Sequence, residues 1–378
     1  MIYTKLGKTG LEVSRLSFGV MRLPEKDDKD GKRIIDRESS IPLLRKGAEL
    51  GINFYDTHPF YCMHQSEIVL GEALKGIKEK VHIQTKCPLW KELEPGETWS
   101  NRLEQSLRNL QRDYIDLYIA HSVSWETFEK KGRDFLRMAA KAREEGLIGH
   151  TGFSSHDKPE NVMKLLDVDE FECMTIQYNL RDLQYARCIE KAAKKGMGVI
   201  IMGPVGGGIL EKLPKGKEHI KPEKVGGVPE MALRYVFRNP GVSCALSGMS
   251  SMEQLEENIR TISSPDPLTE KDYLELEKSF FSLKELADLY CTRCGYCQPC
   301  PQNINIPGIF HAVNLWRIYG SEEQARFFYG MFTHPDKEGK KRDPSVCIEC
   351  GECEKKCPQH IPIIEQLKEA QELFGKPE

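Results

Sequence analysis

Four ionisable residues stand where three predicted strands end, and their types suit a single reaction. Asp56 closes the segment INFYD, and Tyr61 follows it five residues later. Lys86 closes VHIQTK, and His121 closes IDLYIAH. Apolar residues precede these strand ends, so each strand is expected to run through a core and to present its last side chain at the rim.

Together these four side chains could protonate the oxygen of a carbonyl group that receives a hydride. Hydride addition leaves an alkoxide, and a tyrosine hydroxyl can protonate it although the ordinary pKa of that hydroxyl is about 10. An ammonium group at Lys86 would lower the pKa of Tyr61, and Asp56 would hold Lys86 in place by an ion pair. His121 would donate a hydrogen bond to the carbonyl oxygen. Each residue alone is more often a cap or a solvated rim residue, but the four types together favour the catalytic interpretation.

Eight of the 13 cysteines form two tight groups in the last third of the chain. The first group is Cys291, Cys294, Cys297 and Cys300, and the second is Cys347, Cys350, Cys353 and Cys357. The second group has the C-x2-C-x2-C-x3-C-P spacing of bacterial ferredoxins, and the first is one residue shorter before its last cysteine. This spacing predicts [4Fe–4S] clusters. The other five cysteines are scattered, as is typical of small buried apolar residues.

The ligands of two clusters are expected to cross between the two groups, because the fourth cysteine of each run binds the other cluster in two-cluster ferredoxins. One cluster would take Cys291, Cys294, Cys297 and Cys357, and the other Cys347, Cys350, Cys353 and Cys300. Structural zinc is the alternative, since zinc also binds Cys-x2-Cys pairs. Zinc sites use two such pairs, whereas each group here has three consecutive thiols followed by Cys-Pro.

Eight segments rich in β-branched and aromatic residues alternate with amphipathic helical stretches between Leu16 and Ile262. The predicted strands lie at 15–19, 52–56, 81–86, 115–121, 148–154, 173–179, 198–204 and 242–248. Eight β–α units in about 250 residues predict an α/β fold, the (β/α)8 TIM barrel. The rival is an open doubly wound sheet, which should carry a GxGxxG motif after its first strand, and that motif is missing there.

The segment SSPDPL at 263–268 ends this alternation and predicts a domain boundary. We expect the barrel at 1–268 and a small all-helical iron–sulfur domain of the ferredoxin type at 269–378. The net charge of −3 gives no general attraction to nucleic acid or to an anionic membrane. The sequence lacks an apolar run of signal-peptide or membrane-spanning length, so we expect a cytoplasmic protein without a membrane or nucleic-acid partner.

The barrel segment resembles the aldo-keto reductases. The opening YTKLGKTGLEVSRLSFGVMRLP resembles that family's first hairpin and strand, and NFYDTHPFY with SEIVLGEAL resembles its Asp-Thr-x-x-x-Tyr segment and the helix after it. QTK and DLYIAH resemble its lysine and histidine segments. The resemblance implies a (β/α)8 oxidoreductase whose catalytic tetrad is Asp56, Tyr61, Lys86 and His121, with Tyr61 as the general acid.

The same resemblance implies a bound NADP or NAD. The segments GFSS, IQYN, MGPVGGG and SGMSSMEQLEEN resemble those that hold the nicotinamide, the pyrophosphate and the adenosine. The expected cofactor contacts are Gly19, Met21, Arg22, Ser154, Ser155, Gln177, Met202, Gly203, Pro204, Val205, Gly206, Gly248, Ser250, Gln254, Glu257 and Asn258. Met202 replaces a stacking Tyr of many members, and Cys62 replaces a usual Gly. Gly248 and Gln254 replace the Lys and Arg that bind the NADP 2′-phosphate in some members.

These patterns predict an NAD(P)H-dependent reductase that converts an aldehyde or ketone to an alcohol. The alternatives are an iron–sulfur electron-transfer protein or subunit whose barrel only docks a nucleotide or partner, and a regulatory relative without reductase activity. Nicotinamide moves two electrons and each cluster moves one. The clusters would therefore shape the domain, sense redox state, or meet a ferredoxin or other redox partner.

Overall fold

A computed structural model describes residues 1–29, 33–89, 91–206, 210, 213, 218–288, 291, 297–335, 339–357 and 361–375. The chain divides into two compact units. The first comprises Met1–Gly207 and Pro229–Pro267, and the second comprises Gly208–Val228 and Leu268–Glu378. Residues 208–228 thus belong to the second unit, which no sequence pattern indicated; a boundary near Leu268 stays a prediction.

The first unit contains a closed barrel of eight parallel strands, so the predicted fold class is confirmed. The barrel strands are β3 (Leu16–Gly19), β6 (Phe54–Asp56), β7 (His82–Cys87), β8 (Ile115–Ala120), β9 (Ile148–Ser154), β10 (Cys173–Gln177), β11 (Gly198–Met202) and β12 (Cys244–Ser247). They follow one another around the barrel in chain order, and β12 pairs with β3 to close it. Each corresponds to a predicted strand. The prediction succeeds because parallel strands buried on both faces form nearly continuous apolar runs.

Helices follow the barrel strands and cover their outer faces. They are α1 (Arg37–Glu49), α2 (Ser66–Leu74), α3 (Trp99–Leu110), α4 (Trp125–Thr127), α5 (Arg133–Glu144), α6 (Pro159–Leu165), α7 (Ala186–Lys194), α8 (Val228–Arg238) and α9 (Met252–Ser263). One π-helical turn, Phe128–Gly132, joins α4 to α5. Several helices end just before a glycine with positive φ, among them Gly51, Gly146 and Gly196.

An N-terminal hairpin of β1 (Tyr3–Lys5) and β2 (Glu12–Ser14) closes the amino end of the barrel. Leu6 and Val13 of this hairpin are fully buried in a cluster with barrel residues such as Phe54 and Ile200. Gly7 has a φ of +52°, and an added Cβ would lie 2.3 Å from the backbone nitrogen of Gly198. Glycine is therefore required where the hairpin meets the barrel. Because the hairpin covers the amino end, the carboxyl ends of the strands are left open to form a functional site.

A second hairpin pairs β4 (Glu25–Asp27) with β5 (Arg33–Ile35). The sequence did not predict it, because the EKD strand is exposed throughout and carries no alternating apolar pattern. Among the described residues, no helix is long and apolar enough to cross a membrane.

The second unit is helical in its described part, with no strand there, as expected. Its helices are α10 (Glu270–Asp288), α11 (Ile306–Tyr319), α12 (Glu322–Thr333), α13 (Glu352–Lys355) and α14 (Ile363–Phe374). Ile309, Phe310, Leu367 and Ala370 lie at the centre of its buried core. The cysteines 291, 300, 347, 353 and 357 pack against this core, and Cys297 lies inside it.

Candidate active site

A buried ion pair stands at the carboxyl ends of β6 and β7. Lys86 Nζ lies 2.6 Å from Asp56 Oδ1, and the two side chains are 3% and 7% exposed. Lys86 also donates to the backbone carbonyl of Thr57 at 2.7 Å, and the Gln84 amide donates to Asp56 Oδ1 at 2.6 Å. These bonds satisfy both charges away from water, which a buried pair requires, and they fix the direction of the ammonium group.

Tyr61 lies against the same ammonium group. Lys86 Nζ lies over the Tyr61 ring, 4.8 Å from its centroid. The structure therefore brings Asp56, Lys86 and Tyr61 into one chain of contacts. In the interpretation made from the sequence, Asp56 holds Lys86 and Lys86 acts on Tyr61.

A left-handed turn directly follows Tyr61. Cys62, Met63 and His64 have φ values of 49°, 52° and 66°, a region that glycine enters more easily than other residues. This conformation explains why glycine suits position 62. The Cys62 thiol donates to the carbonyl oxygen of Met21 at 3.3 Å, and Ser66, at the start of α2, donates to the carbonyl of Val20 at 2.6 Å. These bonds tie the turn to the segment after β3 and thereby position Tyr61.

His121 lies beside Tyr61, with the two ring centroids 6.2 Å apart and the rings nearly perpendicular. The backbone N–H of His121 donates to the carbonyl of Cys87 at 2.8 Å, which anchors the residue beside the end of β7. Burial, with the neighbouring Lys86 and His156 as further causes, lowers the pKa of His121 to about 3. The imidazole is therefore neutral at ordinary pH, and it can donate a hydrogen bond without adding charge.

Burial reverses the expected shift at Tyr61. Loss of hydration raises the pKa of Tyr61 above its ordinary value, and this effect outweighs the lowering by Lys86. Burial alone would lower the pKa of Lys86, but the neighbouring Asp56 and Tyr61 together raise it. The resting site thus holds a charged Lys86 and a neutral phenol, which is the protonation state that a proton donor needs.

His58 is a further residue of the site that the sequence reasoning missed. It is 1% exposed, and its ring centroid lies 4.0 Å from that of His121 and 5.1 Å from that of Tyr61. Its position in the segment DTHPFY, between Asp56 and Tyr61, was the available signal. A lone histidine in an apolar segment is usually a core residue, so the signal was weak.

The residues expected around the nicotinamide lie at the ends of β9, β10 and β11. Ser154 and Ser155 are buried, and their side chains bond to the backbone of Ser122 and Val123. The Gln177 amide donates to Asp182 Oδ2 at 2.9 Å. Gln177 and Met202 are register partners at the strand ends. These residues come together, although their polar groups already have partners in the protein.

A tight turn follows Met202. The Gly206 N–H donates to the carbonyl of Gly203 at 2.9 Å, and both glycines have a φ of 62°. Pro204 is buried and Val205 is half-buried. Glycines 207 and 208, which extend this segment, lie outside the described residues. The described turn presents backbone at the rim, as expected of a segment that approaches a pyrophosphate.

The residues expected around the adenosine lie at β12, at the start of α9 and just after β3. An added Cβ at Gly248 would lie 3.2 Å from Arg22 Cβ, so the segment of Gly19, Met21 and Arg22 adjoins that strand end. Ser250 donates to Gln254 Oε1 at 2.9 Å through its backbone and at 3.2 Å through its hydroxyl. The N-terminus of a 12-residue helix beside an exposed arginine fits a phosphate chemically.

The buried face of α9 packs on the barrel. Asn258 is buried and donates to the Ser247 hydroxyl at 3.1 Å, and Glu257 is its half-buried neighbour. Asn258 thereby ties α9 to the end of β12, which fixes the direction of the helix N-terminus toward the site.

Several cysteines of the two groups share one cavity in the second unit. Its lining includes Cys300 together with Cys347, Cys350 and Cys353, and also Cys297. The first four are those predicted to hold one cluster, and thiols of this number suit a [4Fe–4S] centre. Among the described residues, however, no three or more histidine, cysteine or acidic side chains lie close enough together to hold a metal ion. Cys291 and Cys357 are half-exposed and pack against the helical core, and Cys294 lies outside the described residues. The five scattered cysteines are all buried, as predicted.

Comparison with known proteins gives the same two parts. The sequence model of the aldo/keto reductase family matches residues 15–226, and that of the 4Fe-4S dicluster domain matches residues 290–361. An L-galactose dehydrogenase from Arabidopsis thaliana is 27% identical over 293 residues, covering 70% of this chain and 88% of the relative. An NADH-specific methylglyoxal reductase from Escherichia coli is 24% identical over 304 residues, covering 68% and 92%. The holo form of the aldo-keto reductase AKR11C1 from Bacillus halodurans has a TM-score of 0.63 and 26% identity, covering 74% and 96%.

Proposed function

We propose, from the premise that this chain belongs to the aldo/keto reductase family, that it reduces an aldehyde or ketone to an alcohol with NAD(P)H and with Tyr61 as the general acid. The observation that carries the proposal is the chain of contacts from Asp56 through Lys86 to Tyr61.

A nicotinamide cofactor, when bound, would supply the hydride, and the residues of this chain supply the proton and orient the reactants. Tyr61 holds a proton on its hydroxyl, because burial raises its pKa. As negative charge develops on the substrate oxygen, the phenol transfers that proton, and Lys86 stabilises the phenolate left behind. Asp56 keeps Lys86 charged and directed. The neutral His121 donates to the same substrate oxygen and orients it.

The cofactor would lie across the strand ends from β9 round to β3. Ser154, Ser155 and Gln177 would hold the nicotinamide end, and the turn from Gly203 to Gly206 would cover the pyrophosphate. Because Gly248 and Gln254 offer no cation for a 2′-phosphate, we propose that the protein accepts NADH as well as NADPH. Use of NADH is supported by the relative whose name describes it as NADH-specific. Use of NADPH is supported by Arg22, which lies beside Gly248 and would supply a cation for the 2′-phosphate.

We further propose that the second unit binds two [4Fe–4S] clusters with crossed ligands. Bound clusters would supply one-electron transfer. Because hydride carries two electrons, the barrel needs no electron from them, and their part is structural, sensory or directed to a ferredoxin or other redox partner. A cytoplasmic location remains our prediction, and so does a small carbonyl compound as the substrate.

Replacement of Tyr61 by Phe tests the proposed reaction. Tyr61→Phe removes the proton donor and keeps the ring, so kcat with an aldehyde and NADPH or NADH should fall by about 100-fold or more. The Kd for the nicotinamide, measured by its fluorescence, should change little. If turnover by purified Tyr61→Phe protein equals that of the wild type, the tetrad assignment is wrong, and an electron-transfer protein with a docking barrel becomes the better interpretation.

A further inference from the structure

His58 combines deep burial with a place beside the two residues that face the substrate oxygen. Its ring lies within 4.0 Å of His121 and 5.1 Å of Tyr61, measured between centroids. It stands one residue after Thr57, whose carbonyl accepts from Lys86. His58 is therefore held by the same short segment that positions the ammonium group and the phenol.

The hydrogen bonding of His58 fixes which of its nitrogens carries the proton. The backbone N–H of Phe60 donates to His58 Nδ1 at 3.1 Å, so Nδ1 is an acceptor. Burial, with His121, Lys86 and His64 as further causes, strongly lowers the pKa of His58, and the ring is neutral. A neutral imidazole has one N–H group, and here it must be on Nε2.

Among the residues that the structure describes, that Nε2–H group has no hydrogen-bond partner, although it is buried. Leaving a buried donor unpaired costs about 1–3 kcal/mol. Such a cost is easily explained where a ligand supplies the missing acceptor. In the proposed function, the ligand that approaches Tyr61 and His121 is the carbonyl substrate.

The reacting carbonyl oxygen already has two donors in the proposed function, the Tyr61 hydroxyl and His121. A third donor next to them suits a different oxygen of the same molecule. Because the His58 and His121 rings are in contact, that oxygen must be close to the reacting one. An oxygen on the adjacent carbon meets this condition. A substrate whose only oxygen is the reacting carbonyl has no second acceptor for His58.

We propose that the Nε2–H group of His58 binds a second oxygen on the carbon next to the reacting carbonyl. The preferred substrates are thus vicinal dicarbonyl or α-hydroxycarbonyl compounds. This inference rests on the proposed reductase function and names the substrate class of that same site. His58 acts on specificity, and Tyr61 remains the proton donor.

A double comparison of substrates and variants tests the proposal. Diacetyl and acetoin carry the second oxygen, and butanone has a methylene group in its place. The ratio of kcat/KM for diacetyl over that for butanone should fall about tenfold in His58→Ala, the size expected for one lost hydrogen bond. His58→Gln, which can still donate from a similar position, should restore most of the ratio. Acetoin shows whether a hydroxyl oxygen is accepted as well as a carbonyl oxygen.

The nearby His64 provides the matched control, because its exposed ring contacts only Phe60 among the aromatic pairs described here. His64→Asn should leave the ratio unchanged. An equal loss on both substrates in His58→Ala would show a packing role and would overturn the inference while leaving the reductase intact. No turnover of any carbonyl compound by the wild type would instead reject the proposed function itself.

Nitrogen NMR of the histidine rings gives a readout that does not depend on turnover. The wild-type holoenzyme should show a neutral His58 with its proton on Nε2, and the His58→Gln spectrum identifies that signal. Butanediol should shift the Nε2 signal, and butanol should not. A proton on Nδ1, or equal shifts with both alcohols, would contradict the inference even if His58→Ala failed to fold.

Discussion

At the scale of single residues, the buried pair of Lys86 and Asp56 is valuable for its geometry more than for stability. Removing two charges from water costs several kcal/mol per ion, and their attraction returns this only when every polar atom has a partner. Here Thr57 and Gln84 provide those partners. The result is an ammonium group held in a fixed position over the Tyr61 ring.

The pH dependence of the reaction follows from the same residues. Reduction requires a protonated Tyr61, whose pKa lies above the ordinary 10.0 because burial outweighs the effect of Lys86. Activity is present below that pKa and is lost as the pH rises through it. His121, with a pKa of about 3, stays neutral over the whole usable range. We expect kcat/KM for reduction to fall only on the alkaline side, as the pH rises through the raised pKa of Tyr61.

A steady-state pH profile with a simple aldehyde checks this expectation. Alcohol oxidation by the same protein serves as the control, because it needs the phenolate and should gain activity as the pH rises. An alkaline fall centred clearly below the ordinary phenol pKa would show that Lys86 dominates over burial at Tyr61.

The residue types of the tetrad could be predicted from the sequence, since strand ends in a barrel meet at one face wherever they stand in the chain. The protonation state of Tyr61 could not, because burial and a neighbouring charge act in opposite directions and only coordinates give their sizes. The unpaired nitrogen of His58 was also beyond prediction. It depends on one backbone N–H group, that of Phe60.

At the scale of elements, the segment from Thr57 to Ser66 takes its position from α2. This helix packs closely on α3, and an added Cβ at Gly71 would lie 2.7 Å from the backbone of Leu110. Ser66 starts α2 and bonds to both Thr57 and Val20. The packing of two outer helices thereby reaches the turn that carries Tyr61.

Gly71→Ala should therefore lower the free energy of unfolding of the barrel unit by about 1–3 kcal/mol, because backbone must move to admit the methyl group. Urea unfolding followed by circular dichroism measures the change. Gly330→Ala, in α12 of the second unit, provides the comparison for a helical glycine with no atom near an added Cβ, and its effect is measured on the unfolding of that unit. There we expect no loss, or a gain of up to about 1 kcal/mol from helix propensity. Equal effects of the two substitutions would refute the close packing of α2 on α3.

The elements themselves differ in how well the sequence predicted them. The eight barrel strands have long apolar runs such as IDLYIA and were predictable. The hairpin of β4 and β5 was not, since Glu25–Asp27 is a polar strand defined by its pairing alone. The resemblance to the aldo-keto reductases, rather than periodicity, gave the hairpin at the amino end of the barrel.

At the scale of the whole molecule, two units of different chemistry share one chain. Residues 208–228, which follow β11 in the chain, belong to the helical unit, and the chain belongs to the first unit again from Pro229. Within these residues Lys221 donates to the carbonyl of Val225 at 2.7 Å, and Lys224 pairs with Asp272 of α10 at 2.7 Å. The division of the chain thus does not follow sequence order, and composition could not have revealed it.

Double substitutions of the cysteines test how the second unit binds its clusters, because crossed and uncrossed ligand sets predict different losses of iron. Cys300 lines a cavity with Cys347, Cys350 and Cys353, which favours crossing, although Cys297 of the other predicted set reaches the same cavity. With crossed ligands, Cys300→Ser and Cys347→Ser damage the same cluster. The double variant should then keep about half of the iron and of the visible absorbance.

With crossed ligands, Cys300→Ser combined with Cys291→Ser damages both clusters, and nearly all iron should be lost. Uncrossed ligands reverse the two results, because Cys291 and Cys300 would then serve one cluster and Cys347 the other. Iron analysis and absorbance of anaerobically purified protein therefore decide the pairing from two variants. Each contains the same number of serines, so a general weakening of the helical core would lower both equally and could not imitate either pattern. Retention of carbonyl reduction in both variants would further show that the barrel works without electrons from the clusters.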